Sequence, residues 1–237
     1  MEPGRTELAD LDPFDLYDTE AARLADYFAS LDQAAWQRPS RCAGWSVRDV
    51  LAHLAGQEAY NHACLDGTVP ELFERLRREG VGDNLDRMNE WMVRQRRDRP
   101  VAEVLAEWLD KNATTRRRMR EAGRDATLDT AAGPYPAGLQ AFHYASELAT
   151  HGDDVGVPVA PEEEPGRTAW RAEVGRMALA EQGRPVKVIP GPLGFEVRAE
   201  GAVGQLTTSE FVAATVDRLP PEHPLDDRIR AALVCLA

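Results

Sequence analysis

From Tyr17 to Trp36 the apolar residues Ala21, Leu24, Phe28 and Leu31 recur at three- and four-residue steps. That spacing is one buried helical stripe, and it predicts a first helix ending near Pro39. Ser46 is followed three residues later by Asp49, a capping-box pattern in which side chains satisfy the free backbone N–H groups of a helix start. A second helix therefore begins just after Ser46, with Val47, Val50, Leu51 and Leu54 on its buried face and Gly56 as an interruption, and fades at Asp66-Gly67. Residues 70 to 98 read as helical with a break at Gly80-Val81-Gly82. Beyond Pro100, the run through Val101, Val104, Leu105, Trp108 and Met119 predicts a third long helix to Gly123, and after the turn-rich GPYPAG stretch Leu139 to Asp154 predicts a fourth.

The segment GVPVAPEEEPG, rich in proline, glycine and glutamate, is the best linker candidate. After it the pattern predicts a helix over Arg167–Gln182, two β-like runs PVKVIP and GFEVRAE, and helices over Ser209–Leu219 and Leu225–Leu236. The chain thus reads as mostly α, with four main helices in a first domain over residues 1–158 and a small α+β C-terminal domain over 159–237. No repeat of about 20 to 50 residues is visible.

Composition narrows the function. The chain has 237 residues, 43% hydrophobic and 29% charged, with a mean hydropathy of -0.45, which fits a soluble globular protein and neither a disordered nor a membrane one. A formal charge of -12 repels phosphate backbones, so nucleic acid and anionic membranes are poor partners and small molecules are the expected ligands. Residues 1–32 hold much of the excess, nine acids against Arg5 and Arg23. Cys42, Cys64 and Cys235 are widely spaced with no C-x-x-C, which argues against a disulfide framework and a thiolate zinc site. MEPGRTELADLDPFD has no basic region followed by an apolar stretch, and no apolar run approaches about 18 residues. A cytoplasmic location is expected.

The informative histidines lie in HYASELATHGDD, where Glu147 and His151 stand four apart and project from one helix face. Two ligands there can share an ion. His143 is on the same stripe, but eight residues of helix rise about 12 Å, too far to share that ion with His151. His53, between Val50 and Leu54 on the second helix, can supply the third ligand from a facing helix. Two histidines and a carboxylate leave an open fourth position, the catalytic pattern for zinc. The plainer alternative is an intrahelical Glu-His hydrogen bond and a satisfied core histidine.

WQRPSRCAGWSVRDVLAHLAGQE, followed some ninety residues later by ELATHGDDV, resembles the mycothiol-dependent maleylpyruvate isomerase family, a branch of the DinB-like metal-binding four-helix bundles. The likeness covers about residues 17 to 158, and the C-terminal part resembles that family's smaller α+β domain more loosely. It implies a DinB-like bundle whose divalent metal, usually zinc, is held by His53, Glu147 and His151. It also implies mycothiol or a similar thiol as cosubstrate, a small electrophilic substrate, and a catalytic arginine in the C-terminal domain, placed here on Arg218 in FVAATVDRLP. The implied chemistry is a metal-bound thiolate that adds to an electrophile, as isomerase or S-transferase. A non-catalytic metal-binding module and a metal hydrolase are the alternatives. Many members have H-G-W-D where this chain reads His151-Gly152-Asp153-Asp154, which implies a more polar pocket wall and a different substrate. Only Lys111 and Lys187 among the 28 basic residues are lysine, which suggests a GC-rich genome such as those of mycothiol-using actinobacteria.

Other side chains have two readings each. Asp49 caps the second helix or orients His53. Cys42 and Cys64 are small buried hydrophobes or reactive thiols, and His62 and His143 pack or line the pocket. Trp45, Trp91 and Trp108 read as core, and His223 as surface. The clusters Arg94, Arg96, Arg97 and Arg116, Arg117, Arg118 read as solvated faces before anion sites.

Overall fold

The computed structural model describes residues 7–82 and 84–236. They form a DinB-like four-helix bundle followed by a small α+β part, in the order α1 (Pro13–Ser30), a 3-10 turn (Ala35–Gln37), α2 (Val47–Asp66), α3 (Val69–Arg78), α4 (Leu85–Arg94), α5 (Val101–Ala122), β1 (Thr127–Thr130), β2 (Gly133–Pro136), α6 (Ala137–Val155), α7 (Glu164–Glu181), β3 (Lys187–Gly191), β4 (Gly194–Ala199), β5 (Ala202–Thr207), α8 (Thr208–Thr215) and α9 (Asp227–Leu233). Two compact units result among the described residues: Pro13–Val157, and 158–236 with residues 7–12. The sequence pattern places those first residues with the bundle; Glu7 instead accepts from Arg176 Nη1 on α7 at 3.4 Å.

In the bundle, α1 packs on α6 and α5, and α2 packs on α5, α4 and α6. Tyr17, Leu24, Phe28, Leu51, Trp108, Met119 and Phe142 fill the interior, each at most 1% exposed. Phe28 stacks on Trp36 and meets the edge of Trp108, with centroids 5.4 and 5.7 Å apart. One carboxylate is buried among them. Glu58 accepts from Asn112 Nδ2 at 2.8 Å and from Thr115 Oγ1 at 2.5 Å, so α2 and α5 are tied by a satisfied polar contact as well as by apolar area. Burial raises the pKa of Glu58.

Helix starts follow the capping chemistry. Ser46 and Asp49 close a full capping box on α2. Gly56 has a packing reason to interrupt that helix: a Cβ there would lie 2.5 Å from Met92 Cβ on α4. The first predicted helix instead ends at Ser30, and its expected tail up to Trp36 becomes the separate 3-10 turn.

GPYPAG, which reads as turns, contributes β2 of an antiparallel hairpin with Thr127 opposite Pro136. In the second unit β3, β4 and β5 form an antiparallel sheet, and Phe195, Val197, Leu206, Phe211, Ile229 and Leu233 share its core with α8 and α9. The third strand, AVGQLT, escapes the pattern because Gly204 stands at an inner position. A Cβ there would come within 2.6 Å of Leu225 Cδ1.

The arginine clusters are ion-paired. Arg116 and Arg120 on α5 meet Asp18 and Asp15 on α1, and Arg118 meets Asp66, so part of the acidic N-terminal surplus is paired across the surface of the bundle. Glu107 is the most enclosed of these centres: Arg96 (2.7 Å), Arg99 (2.5 Å) and Lys111 (2.7 Å) converge on it. Burial alone would raise its pKa, but these three cations outweigh burial and pull it down to about 2. A carboxylate depressed from 4.5 stabilises the fold above that pH and ceases to as the pH falls toward 2. Glu107→Gln is therefore expected to lower stability at pH 7 by about 1–3 kcal/mol. Thermal melts across pH should show the gap to wild type closing between pH 4.5 and 2; a gap constant with pH would exclude an ionised Glu107 as its source.

Candidate metal centre

Two helices supply the site. His53 lies on the seventh residue of α2, and Glu147 and His151 lie one turn apart near the end of α6. The structure brings the three together. Glu147 Oε1 is 3.4 Å from His53 Nε2 and 3.9 Å from His151 Nε2, and the two imidazole centroids are 4.9 Å apart. One donor atom from each residue falls within a 4.8 Å cluster. Tetrahedral ligands at about 2.0–2.2 Å from a zinc ion sit roughly 3.4 Å from one another, so this nitrogen, nitrogen and oxygen set fits a divalent cation. His53 and His151 side chains are 5% and 12% exposed, whereas Glu147 keeps 28%. Glu147 is the most exposed of the three.

The electrostatics point the same way. Burial raises the pKa of Glu147, yet His53, His151 and Gln57 more than reverse it, so it stays an anion. Burial keeps His53 neutral by lowering its pKa. Burial would lower that of His151 as well, but hydrogen bonds to Asp154 and Cys42 and the charge of Glu147 raise it to about 10. The two neighbouring carboxylates thus favour positive charge at His151. The Nδ1 of His53 is buried with no hydrogen-bond partner among the described residues.

A tight loop walls the site. Ser40 N donates to Trp45 O (2.9 Å) and Trp45 N to Cys42 O (3.0 Å), with Gly44 at φ 79° completing the turn. Arg41 N donates to Asp154 O at 2.9 Å, which ties this loop to the end of α6. Trp45 thereby lies beside His53, centroids 5.2 Å apart, with Nε1 donating to Glu90 at 3.3 Å. It is a wall of the site and not a core residue, whereas Trp108 is core and Trp91 packs partly buried against the small α2–α3 cluster.

The remaining candidates separate clearly. Asp49 accepts from Ser46 N and Arg97 Nε, both at 3.0 Å, so the capping reading holds. His62 packs against the carbonyl of Lys111 (3.1 Å), and His143 meets the hydroxyl of Tyr135 on the β2 strand (3.2 Å). His223, expected at the surface, is 17% exposed and paired with Glu210 at 3.2 Å. Arg218 is in the second unit, just past α8. There Asp217 at φ 55° turns the chain, with Arg218 N bonded to Ala213 O (2.7 Å) and Asp217 N to Ala214 O (3.3 Å), a Schellman closure.

Three residues of the site are not assigned to it by sequence reasoning. Gln57 donates to Glu147 Oε2 at 2.5 Å; Asp154 Oδ2 is 3.2 Å from His151 Nδ1, and Cys42 Sγ is 3.1 Å from the same oxygen. The signal for Asp154 is present as the i, i+3 spacing from His151, which puts both on one helix face. For Gln57 the signal is its place one turn beyond His53.

Fold and site define a class: a DinB-like four-helix bundle with a cluster of two histidines and one carboxylate, joined to a small α+β unit. Within that class, the family model described as "Mycothiol maleylpyruvate isomerase N-terminal domain" matches residues 17–156, and the chain belongs to this family. Two solved structures share the fold. A crystal structure of the mycothiol-dependent maleylpyruvate isomerase aligns with a TM-score of 0.61 at 15% identity, and one of a histidine-to-alanine mutant of it with 0.59 at 15%, each covering 87% of this chain and 88% of the other. No curated protein matches the sequence. Among the described residues no helix is long and apolar enough to cross a membrane.

Gln57 occupies the second oxygen of Glu147 and leaves Oε1 to face the histidines. Gln57→Ala should leave the fold intact and weaken zinc binding by roughly 10-fold, measured by chelator competition. Unchanged affinity would mean that Glu147 is oriented by other contacts.

Proposed function

We propose that this protein is a divalent-metal enzyme that uses a low-molecular-weight thiol, mycothiol or a close analogue, to isomerise or thiolate a small electrophilic acid. The single observation that carries this reading is the convergence of His53, Glu147 and His151 within one cluster, in a chain of the mycothiol maleylpyruvate isomerase family. When bound, a divalent ion such as zinc would supply a Lewis-acidic position at which a thiol is held as thiolate at neutral pH.

The chain's own residues do the rest. His53, Glu147 and His151 would hold the cation between them. Gln57 keeps Glu147 aimed by one oxygen. Trp45, fixed through Glu90, covers the His53 side and limits water there. Arg218 is the proposed carboxylate clamp, suited by its planar fork to a bidentate contact that strengthens as charge builds on the substrate's enolate.

For an α,β-unsaturated keto acid, the thiolate sulfur forms a bond to the alkene carbon while the π electrons move to the conjugated carbonyl. Rotation about the resulting single bond and expulsion of the thiolate return the alkene in the trans form. Protonation in place of expulsion gives a thioether, the transferase outcome.

The test is elemental analysis together with turnover of an activated alkene acid in the presence and absence of added thiol. About one divalent ion per chain and strictly thiol-dependent turnover are expected. His53→Ala and His151→Ala should each lose the ion and at least about 100-fold in rate. Turnover that persists in thiol-free buffer would instead indicate water activation. Full zinc occupancy in His151→Ala would overturn the ligand set.

A further inference from the structure

The ligand set leaves one arrangement without a purpose. Asp154 sits in the last turn of α6, and its side chain is 0% exposed. Two forces oppose a carboxylate there: loss of hydration, and the negative end of the helix dipole. Its Oδ2 nevertheless lies 3.2 Å from His151 Nδ1, and Cys42 Sγ donates to the same oxygen at 3.1 Å while standing 3.8 Å from that ring nitrogen. Cys42 is delivered there by the loop that Arg41 N anchors on the Asp154 carbonyl.

We propose that Asp154 is the positioning residue of the metal centre, fixing His151 through Nδ1 so that Nε2 faces the point shared with His53 and Glu147, and that the Cys42 thiol holds Asp154 in place. The proposal rests on the ligand assignment above. With Asp154 Oδ2 facing Nδ1 as acceptor, a metal-bound His151 would carry its ring hydrogen on Nδ1 and its lone pair on Nε2. That is the tautomer the ion requires. A carboxylate on each side of His151 also gives the pocket two negative charges to balance one divalent cation. Asp49, the other carboxylate considered for such a role, is committed to Ser46 and Arg97, so the orienting function falls on α6 and not on α2.

Cys42, His151 and Asp154 also lie close enough to ligate an ion of their own. That would require the Nδ1 hydrogen to be absent, so the two arrangements differ in stoichiometry and tautomer.

The experiment loads the full chain with zinc and measures its affinity by chelator competition in wild type, Asp154→Asn, Cys42→Ser and Cys42→Ala. It is paired with 15N NMR of the histidine rings. Expected are one zinc per chain, hydrogen on Nδ1 of His151 in the loaded protein, and a roughly 10- to 100-fold weaker affinity in Asp154→Asn. Cys42→Ser, which keeps a donor, should stay near wild type, and Cys42→Ala should weaken by less than about 10-fold. Wild-type affinity in Asp154→Asn, hydrogen on Nε2 of His151, or a second zinc lost in Cys42→Ala would each overturn the proposal. Should Asp154→Asn not fold, the 15N spectrum of the wild type decides. Undiminished zinc affinity in His151→Ala is a separate result that removes the ligand assignment itself, and this proposal with it.

Discussion

The structure turns on the approach of α2 to α6 at one place, where a histidine from the first meets a glutamate and a histidine from the second. Glu147 Oε1 within 3.4 Å of His53 Nε2 requires the two helices to be held in register across an interface that is otherwise small. The surrounding contacts supply that register. Glu58, Asn112 and Thr115 fasten α2 to α5, and Gly56 lets α4 press closely on α2. On the other side, α1 packs along α6. Tyr27 of α1 donates to the Val155 carbonyl at 2.7 Å, just beyond His151. Most of the bundle's polar interior can be understood as fixing the two helices that bear the ligands.

Charge follows the same logic. In a protein with a formal charge of -12, two carboxylates, Glu147 and Asp154, flank His151, where Gln57 and Cys42 also donate to them. Contacts with Asp154 and Cys42 and the charge of Glu147 raise the pKa of His151 to about 10. Elsewhere the acids are met by arginine, as at Glu107, Asp15 and Asp18, and those contacts tie helices together without forming an anion site.

Much of this is legible in the sequence because it is local. The Ser46–Asp49 box, the stripes of the four main helices and the i, i+4 relation of Glu147 to His151 depend on spacing within one helix. His53 is legible as a candidate third ligand from its inward place between Val50 and Leu54, but resemblance to a family singles it out, since no periodicity encodes which helix faces which. The misses have equally physical causes. Trp45 is aromatic and near a helix start, but a glycine turn places it beside His53. Gly204 removes a side chain from a strand whose neighbour needs the space. Cys42 and Asp154 are 112 residues apart, and their contact exists only because a loop hydrogen-bonds to the end of α6.

X-ray absorption fine structure on the zinc-loaded protein, before and after addition of a low-molecular-weight thiol, addresses the central claim most directly. The account predicts two imidazoles and a carboxylate oxygen with no sulfur at first, then one sulfur at about 2.3 Å once thiol is present. Sulfur scattering before any thiol is added, or a zinc environment with fewer than two imidazoles, would contradict it.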